Sequence, residues 1–171
     1  MAFNVRQIFA ALNDARVDYV VVDGLAVILH GYLRATADLD LAIGLAPDNA
    51  GRGMRALASI GLQPRLPVAM DDFADEGRRL DWLRNRNMVV FPLWDPGNPL
   101  RSVDVFIDEP IGFGDLMADA VVKDLDGLEV RIASIPHLIE MKRRTGRSRD
   151  LDDIDKLQQI LAAPQEGEGG P

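Results

Sequence analysis

The chain has 171 residues, 47% of them hydrophobic, a formal net charge of -8 and no cysteine, with a pI near 4.7. That is enough chain for a domain with a real core; it excludes disulfides and cysteine-based metal sites and removes any general electrostatic pull towards RNA or DNA. No apolar run is long enough to span a bilayer, and the start MAFNVRQIFAALND lacks a secretory cleavage pattern, so the expected setting is cytoplasmic, with no membrane partner.

Residues 4–15, NVRQIFAALNDA, carry helical periodicity in Val5, Ile8, Phe9 and Leu12, with Asn4 as N-cap. DYVVVDG (18–24) reads as a short buried strand ending at a turn, and LAVILHGYL (25–33) as an apolar helix broken near Gly31. DLDLAIG (38–44) is the second strand, and Pro47-Asp48-Asn49 starts a helix that runs to Ser59. Patterning weakens over 60–100. There RRLDWLRNR (78–86) predicts a helix, MVVFPLW (88–94) a strand whose Pro92 suits an edge or a strand end, and WDPGNP (94–99) a turn.

RSVDVFID (101–108) is a further strand, and VVKDLDGLEVRIA (121–133) a hairpin around Asp126-Gly127. SIPHLIEMKRR opens a helix with Ser134 as N-cap and Pro136 in its first turn. DLDDIDKLQQILAA (150–163) is an amphipathic helix with Leu151, Ile154, Leu157, Ile160 and Leu161 on one side. The polar, Gly/Pro-rich PQEGEGGP (164–171) is expected to be disordered. No internal repeat or interior linker interrupts the rest. The expectation is one α+β domain over residues 1–163, a mixed sheet flanked by helices with a C-terminal helical segment.

Several chemistries are absent. There is no GxxxxGK[ST] loop and no GxSxG elbow, and His30 and His137 lack metal-ligand spacing. His30 reads as a packed or capping side chain. GRGMRA (51–56) matches a loose dinucleotide pattern, but the helix already starts at Pro47, whereas that fingerprint needs its glycines at the strand-to-helix junction. Nucleic acid would need a local basic patch, and RNRN (84–87) and KRRTGRSR (142–149) are the segments that offer one.

TADLDLAIG (36–44) holds the most informative residues. Asp38 and Asp40 point to the same side of a strand, with Leu39 and Leu41 on the other. Either both carboxylates are solvated at a strand end or a cation sits between them. Spacing does not choose, because the same pattern recurs at Asp124/Asp126, Asp150/Asp152 and Asp153/Asp155. The surroundings add two features. VVVDGLA puts Gly24 between a strand and an apolar helix, where backbone N–H groups suit a phosphate. SVDVFI isolates Asp104 among apolar strand residues, where a lone Asp is disfavoured. If the two strands are neighbours, three carboxylates converge, an arrangement that suits Mg²⁺ with phosphate oxygens as further ligands.

The order strand–Gly–helix, then D-x-D, then a lone strand Asp resembles the nucleotidyltransferase fold of the DNA polymerase beta superfamily. YVVVDGLAVILHGYLRATADLDLAI (19–43) is similar to the core signature of small bacterial nucleotidyltransferases that include AbiEii-type toxins of toxin–antitoxin systems. IASIPHLIEMKRRTGRSRDLDDIDKL (132–157) resembles their C-terminal signature, a Lys followed by Gly-Arg-x-x-Asp. The resemblance implies that Asp38 and Asp40 hold Mg²⁺, and that Asp104 completes the metal site or takes the acceptor's proton. It implies that Gly24 lies against the triphosphate of a nucleoside triphosphate and that Lys142 and Arg34 face it. The implied reaction transfers a nucleoside monophosphate to an acceptor hydroxyl of RNA such as tRNA, of a protein or of a small molecule, with an antitoxin protein as the implied partner. One departure stands out: the family's pair of glycines is here Asp23-Gly24. An acid beside a triphosphate is unfavourable, so a non-catalytic binding module working with a partner is the alternative expectation.

Overall fold

The computed structural model describes residues 5–163; the Asn4 cap and the 164–171 tail lie outside the described residues. The chain runs α1 (Val5–Asp14), β1 (Tyr19–Val22), α2 (Asp23–Leu29), β2 (Leu39–Ile43), α3 (Pro47–Ser59) and β3 (Gln63–Pro64). After a 3-10 turn at Met70–Ala74 it continues through α4 (Glu76–Asn85), β4 (Val90–Asp95), β5 (Asn98–Phe106), α5 (Phe113–Ala118), β6 (Val121–Asp124), β7 (Glu129–Ile132), α6 (Ile135–Thr145) and α7 (Ser148–Ala162). The seven strands form one mixed sheet in the order β3-β4-β5-β2-β1-β7-β6. β2 pairs parallel with β5 and β1 parallel with β7, while the remaining neighbours are antiparallel.

The central strands explain the apolar runs in the sequence. All four residues of β1, YVVV, are buried because the strand has a neighbour on each side and helices over both faces. In β2, Leu39 and Leu41 are fully buried and sit in register with the buried Val103 and Val105 of β5. α1 contributes Ile8, Phe9 and Leu12 to the core, as its periodicity predicts, and Phe9 stacks on Tyr19 with ring centroids 6.1 Å apart. Towards the other edge, Phe91 of β4 packs between Trp82 (5.2 Å) and Phe73 (5.5 Å).

Three features depart from expectation. The short helix α5 and the two-residue β3 have no period long enough to read. Strands β4 and β5 close on a tighter connection, with Asp95 paired to Asn98, than the turn expected over 94–99. Pro92 is not at an open edge: β4 pairs on both sides, and the Pro92 carbonyl accepts a hydrogen bond from the Arg65 backbone N–H at 2.9 Å. Proline is tolerated because only its missing N–H would be lost, and β3 beside it is only two residues long.

Buried Asn49, on the first turn of α3, fastens the site-bearing strands together. Its side-chain oxygen accepts from the Asp18 N–H (2.8 Å), and its amide donates to the carbonyls of Asp18 (3.0 Å) and Gly44 (2.8 Å). These residues flank the start of β1 and the end of β2. Asn49→Ala removes these three bonds and leaves the buried Gly44 carbonyl without its side-chain donor, while the Asp18 carbonyl keeps its bond from the Gly44 N–H; the expected cost is about 1–3 kcal/mol. Urea denaturation checks this, and a loss below about 1 kcal/mol would contradict the fastening role.

Candidate active site

The strand pairing brings the sequence-predicted carboxylates together. Asp40 of β2 sits directly opposite Asp104 of β5 on adjacent parallel strands, so both side chains emerge on one sheet face. Asp38 lies just ahead of β2 and is exposed, while Asp40 and Asp104 are half-buried. All three line a cleft of about 500 Å³ together with Gly24, Arg34 and Asp23.

The electrostatics reflect that crowding. Burial first, then the Asp23, Asp104 and Asp38 carboxylates, push the Asp40 carboxyl up to about 7, with Lys142 pulling the other way. Asp104 is also raised, by burial and then by Asp38, with Arg65 opposing. Among the described residues, no three His, Cys, Asp or Glu side chains stand in a ready metal-holding arrangement. Asp40 and Asp104 share a sheet face, and Asp38 joins them on the wall of the same cleft. Oxygen-only donors carrying excess negative charge, one of them driven towards protonation, are the chemistry that a hard divalent cation fits.

Gly24 is the second residue of α2, and a Cβ there would lie 2.5 Å from the Thr36 hydroxyl. The glycine lets the loop between α2 and β2 lie across the helix start and so fixes Thr36 at the cleft wall. α2 is only seven residues long, so its dipole is a minor attraction for an anion.

Arg34 stands in that loop and lines the cleft, but its guanidinium also pairs with Asp153 of α7. Asp153 is buried and accepts a second charged bond, from the Lys142 ammonium at 2.7 Å. Lys142 also donates to Asp23 at 2.8 Å and has Asp150 at 3.8 Å. Expected to face a triphosphate, Lys142 instead is only 4% exposed and does not line the cleft. It lines a smaller apolar pocket behind it, walled by Phe106, Pro110, Leu138 and Met141.

The α6–α7 turn supplies two cations, Arg147 of the Gly-Arg-x-x-Asp stretch and Arg149, which the sequence did not mark out as a site residue. Arg147 and Arg149 line the cleft opposite the acids. The turn is built by Gly146, which ends α6 in the left-handed conformation at φ 62°, and by Asp150. The Asp150 carboxylate accepts from the Thr145 hydroxyl (2.6 Å) and the Arg147 N–H (3.1 Å). Burial pushes Asp150 up, but these bonds and Lys142 outweigh it and hold it below the ordinary carboxylate range. Their signal was the charge-dense stretch RTGRSRDLDD, in which only the fold separates cleft from solvent. His30 acts as a packed residue: its Nε2 meets the Ala133 carbonyl at 2.8 Å, and burial lowers its pKa.

No protein-family model matches the chain, and no curated protein is detectably similar in sequence. Solved structures do match. One is an antigenic nucleotidyltransferase-like protein from Paracoccidioides brasiliensis, at 17% identity and TM-score 0.56, over 92% of this chain and 73% of that one. A second is ANT(2'')-Ia in complex with adenylyl-2''-tobramycin, at 13% identity and TM-score 0.58, over 92% and 87%. A third is the lincomycin-bound lincosamide antibiotic adenylyltransferase LnuA, at 14% identity and TM-score 0.55, over 91% and 96%. At such identities the likeness establishes the fold: a mixed α+β architecture of the nucleotidyltransferase type. Among the described residues, no helix is long and apolar enough to cross a membrane.

The raised Asp40 has a measurable consequence. Its folded-state pKa of about 7 lies above the ordinary 3.8, so between these values the folded protein binds the proton more tightly than the unfolded chain. Its contribution to stability is therefore full below about 4 and is lost as pH rises through about 7. In EDTA, denaturant melts of wild type and Asp40→Asn from pH 4.5 to 8 should diverge, with wild type losing on the order of 1–3 kcal/mol relative to the variant. Parallel curves would show that Asp40 ionises without strain.

Proposed function

We propose that this protein is a Mg²⁺-dependent nucleotidyltransferase that moves a nucleoside monophosphate from a nucleoside triphosphate to an acceptor hydroxyl. The observation that carries the reading is Asp40 opposite Asp104 on neighbouring strands, with Asp38 on the same cleft, in a fold shared with antibiotic adenylyltransferases.

In this reading Asp38, Asp40 and Asp104 hold Mg²⁺, which would supply positive charge to the attacking and leaving oxygens of an in-line displacement. Gly24, whose missing side chain makes room for Thr36, lines the cleft at the strand-to-helix junction, against which the triphosphate would lie. Arg34, Arg147 and Arg149 provide the positive wall that draws the phosphates away from the acids. The Asp104 carboxylate, raised by burial, accepts the proton of the acceptor hydroxyl. The new bond joins acceptor oxygen to the α-phosphorus, the α–β anhydride bond breaks, and pyrophosphate leaves. The neighbouring structures include enzymes with small antibiotic acceptors, whereas the AbiEii-like signatures favour RNA or protein and an antitoxin partner. The cytoplasm is the compartment that supplies nucleoside triphosphates to such a site.

A second reading, a non-catalytic module of this fold, is favoured by one observation: Lys142 is engaged by Asp23 and Asp153 and turned away from the cleft.

Each α-labelled NTP, incubated with Mg²⁺, total RNA and lysate, tests the transferase. A labelled acceptor with equivalent pyrophosphate release is expected, and Asp40→Asn or Asp104→Asn should reduce it at least about a thousandfold. No label with any NTP would favour the binding module. Thermal melts give an independent check. Millimolar Mg²⁺ with NTP should raise the wild-type Tm by mass action, and Asp38→Asn/Asp40→Asn should lose most of that response.

A further inference from the structure

Asp23 joins β1 to α2 at a φ of +55°. A residue with a side chain holds this left-handed conformation at a cost of about 1 kcal/mol, and glycine would hold it freely. The strain has a visible counterpart. From this position the Asp23 carboxylate accepts a 2.8 Å bond from Lys142, while its side chain stays 40% exposed. It borders both cavities, the acidic cleft on one side and the apolar pocket that holds Lys142 on the other. It also lies at the end of β1 next to Val22, which pairs with Asp40, and it is the carboxylate that weighs most on the Asp40 charge.

Asp23 thus stands between the one lysine of the site and the cleft. A triphosphate entering the cleft meets this carboxylate before it meets the ammonium. Lys142 has two other acidic neighbours, Asp153 and Asp150, so it keeps ion-pair partners in the interior without Asp23.

We propose that Asp23 is a positioning residue that restrains Lys142 and masks its ammonium from the cleft, so that a triphosphate recruits Lys142 only by displacing the Asp23 carboxylate. This rests on the nucleotidyltransferase reading of the cleft. Asp23 then lowers the affinity of the site for nucleotide. The loss corresponds to one charge-assisted hydrogen bond exchanged on binding, about a factor of ten or somewhat more.

The probe is inorganic tripolyphosphate with Mg²⁺, which carries no base and is independent of which NTP the protein uses. Calorimetric titration of the full chain is expected to give about tenfold tighter binding for Asp23→Asn and Asp23→Gly than for wild type. The asparagine tolerates left-handed φ and the glycine relieves it, so both should fold, and unchanged far-UV spectra confirm it. The gain should vanish when Lys142→Met is present in both backgrounds. A gain that persists without Lys142 would mean simple repulsion of the anion, and weaker binding by the Asp23 variants would make Asp23 a contributor to the cation site. Either result overturns the restraint. A second measurement needs no ligand: acylation of Lys142 by an amine-reactive ester, read by mass spectrometry against Lys123 and Lys156, should rise severalfold in both Asp23 variants. Unchanged labelling refutes the masking of Lys142. By contrast, increased labelling with no tripolyphosphate or NTP binding in any protein would retain the restraint on Lys142 and reject both its nucleotide role and the transferase reading.

Discussion

The structure turns on two carboxylates forced side by side. Pairing β2 with β5 in parallel register places Asp40 against Asp104, and nothing about that register can be relaxed locally. Sliding either strand by one residue would send Leu39, Leu41, Val103 or Val105 to the cleft face and bring an acid into the core. The apolar alternation that makes the core is thus the same pattern that juxtaposes the charges. The fold accepts a like-charge pair because four fully buried side chains, each contributing on the order of 2 kcal/mol, hold the register that creates it.

A second layer organises the wall facing those acids. Asp153 accepts from both Arg34 and Lys142, so a single buried carboxylate links the loop before β2 to α6 and α7. That link crosses more than a hundred residues of sequence. It explains why the C-terminal helices belong to the site although they contribute no strand to it. Interior ion pairs are seldom a net source of stability, since desolvation offsets much of the attraction. Their geometric effect is clearer: the α6–α7 turn is oriented so that Arg147 and Arg149 reach the cleft.

Much of this was legible in the sequence, for physical reasons that differ along the chain. β1 was readable because four consecutive apolar residues between polar flanks suit a strand covered on both faces. Asp104 was readable because an isolated acid in an apolar strand needs a reason. α6 was readable at its start, where Ser134 accepts from the His137 N–H; its end, where Gly146 takes the left-handed conformation, emerged only in the structure. α5 and β3 were not, because they are stabilised by tertiary contacts rather than by their own periodicity. The direction of Lys142 was also hidden. Helical spacing places it on the buried face of α6, but which carboxylates claim it depends on residues 119 and 11 positions away. Family likeness suggested a phosphate for that ammonium, and only the packed structure reveals its competitors.

The arrangement places two opposite kinds of charge on one small cleft. A hard cation needs uncompensated carboxylates, whereas a polyphosphate needs uncompensated cations, and mixing them would neutralise both. Here the strand acids sit on the sheet face and the arginines on the loop and turn opposite. Two acids break this division: Asp150, which lines the cleft beside the arginines and is bonded within the α6–α7 turn, and Asp23, at the boundary, whose carboxylate is bonded to Lys142. Asp23 is the strained one. Its backbone strain and its unfavourable weight on Asp40 would both disappear with a glycine. A side chain that worsens both the local conformation and the local electrostatics, yet forms a direct bond to the one lysine of the site, makes structural sense only through that bond. The cost at Asp23 therefore sets where the Lys142 charge resides, and with it how much positive potential the cleft presents before any ligand arrives.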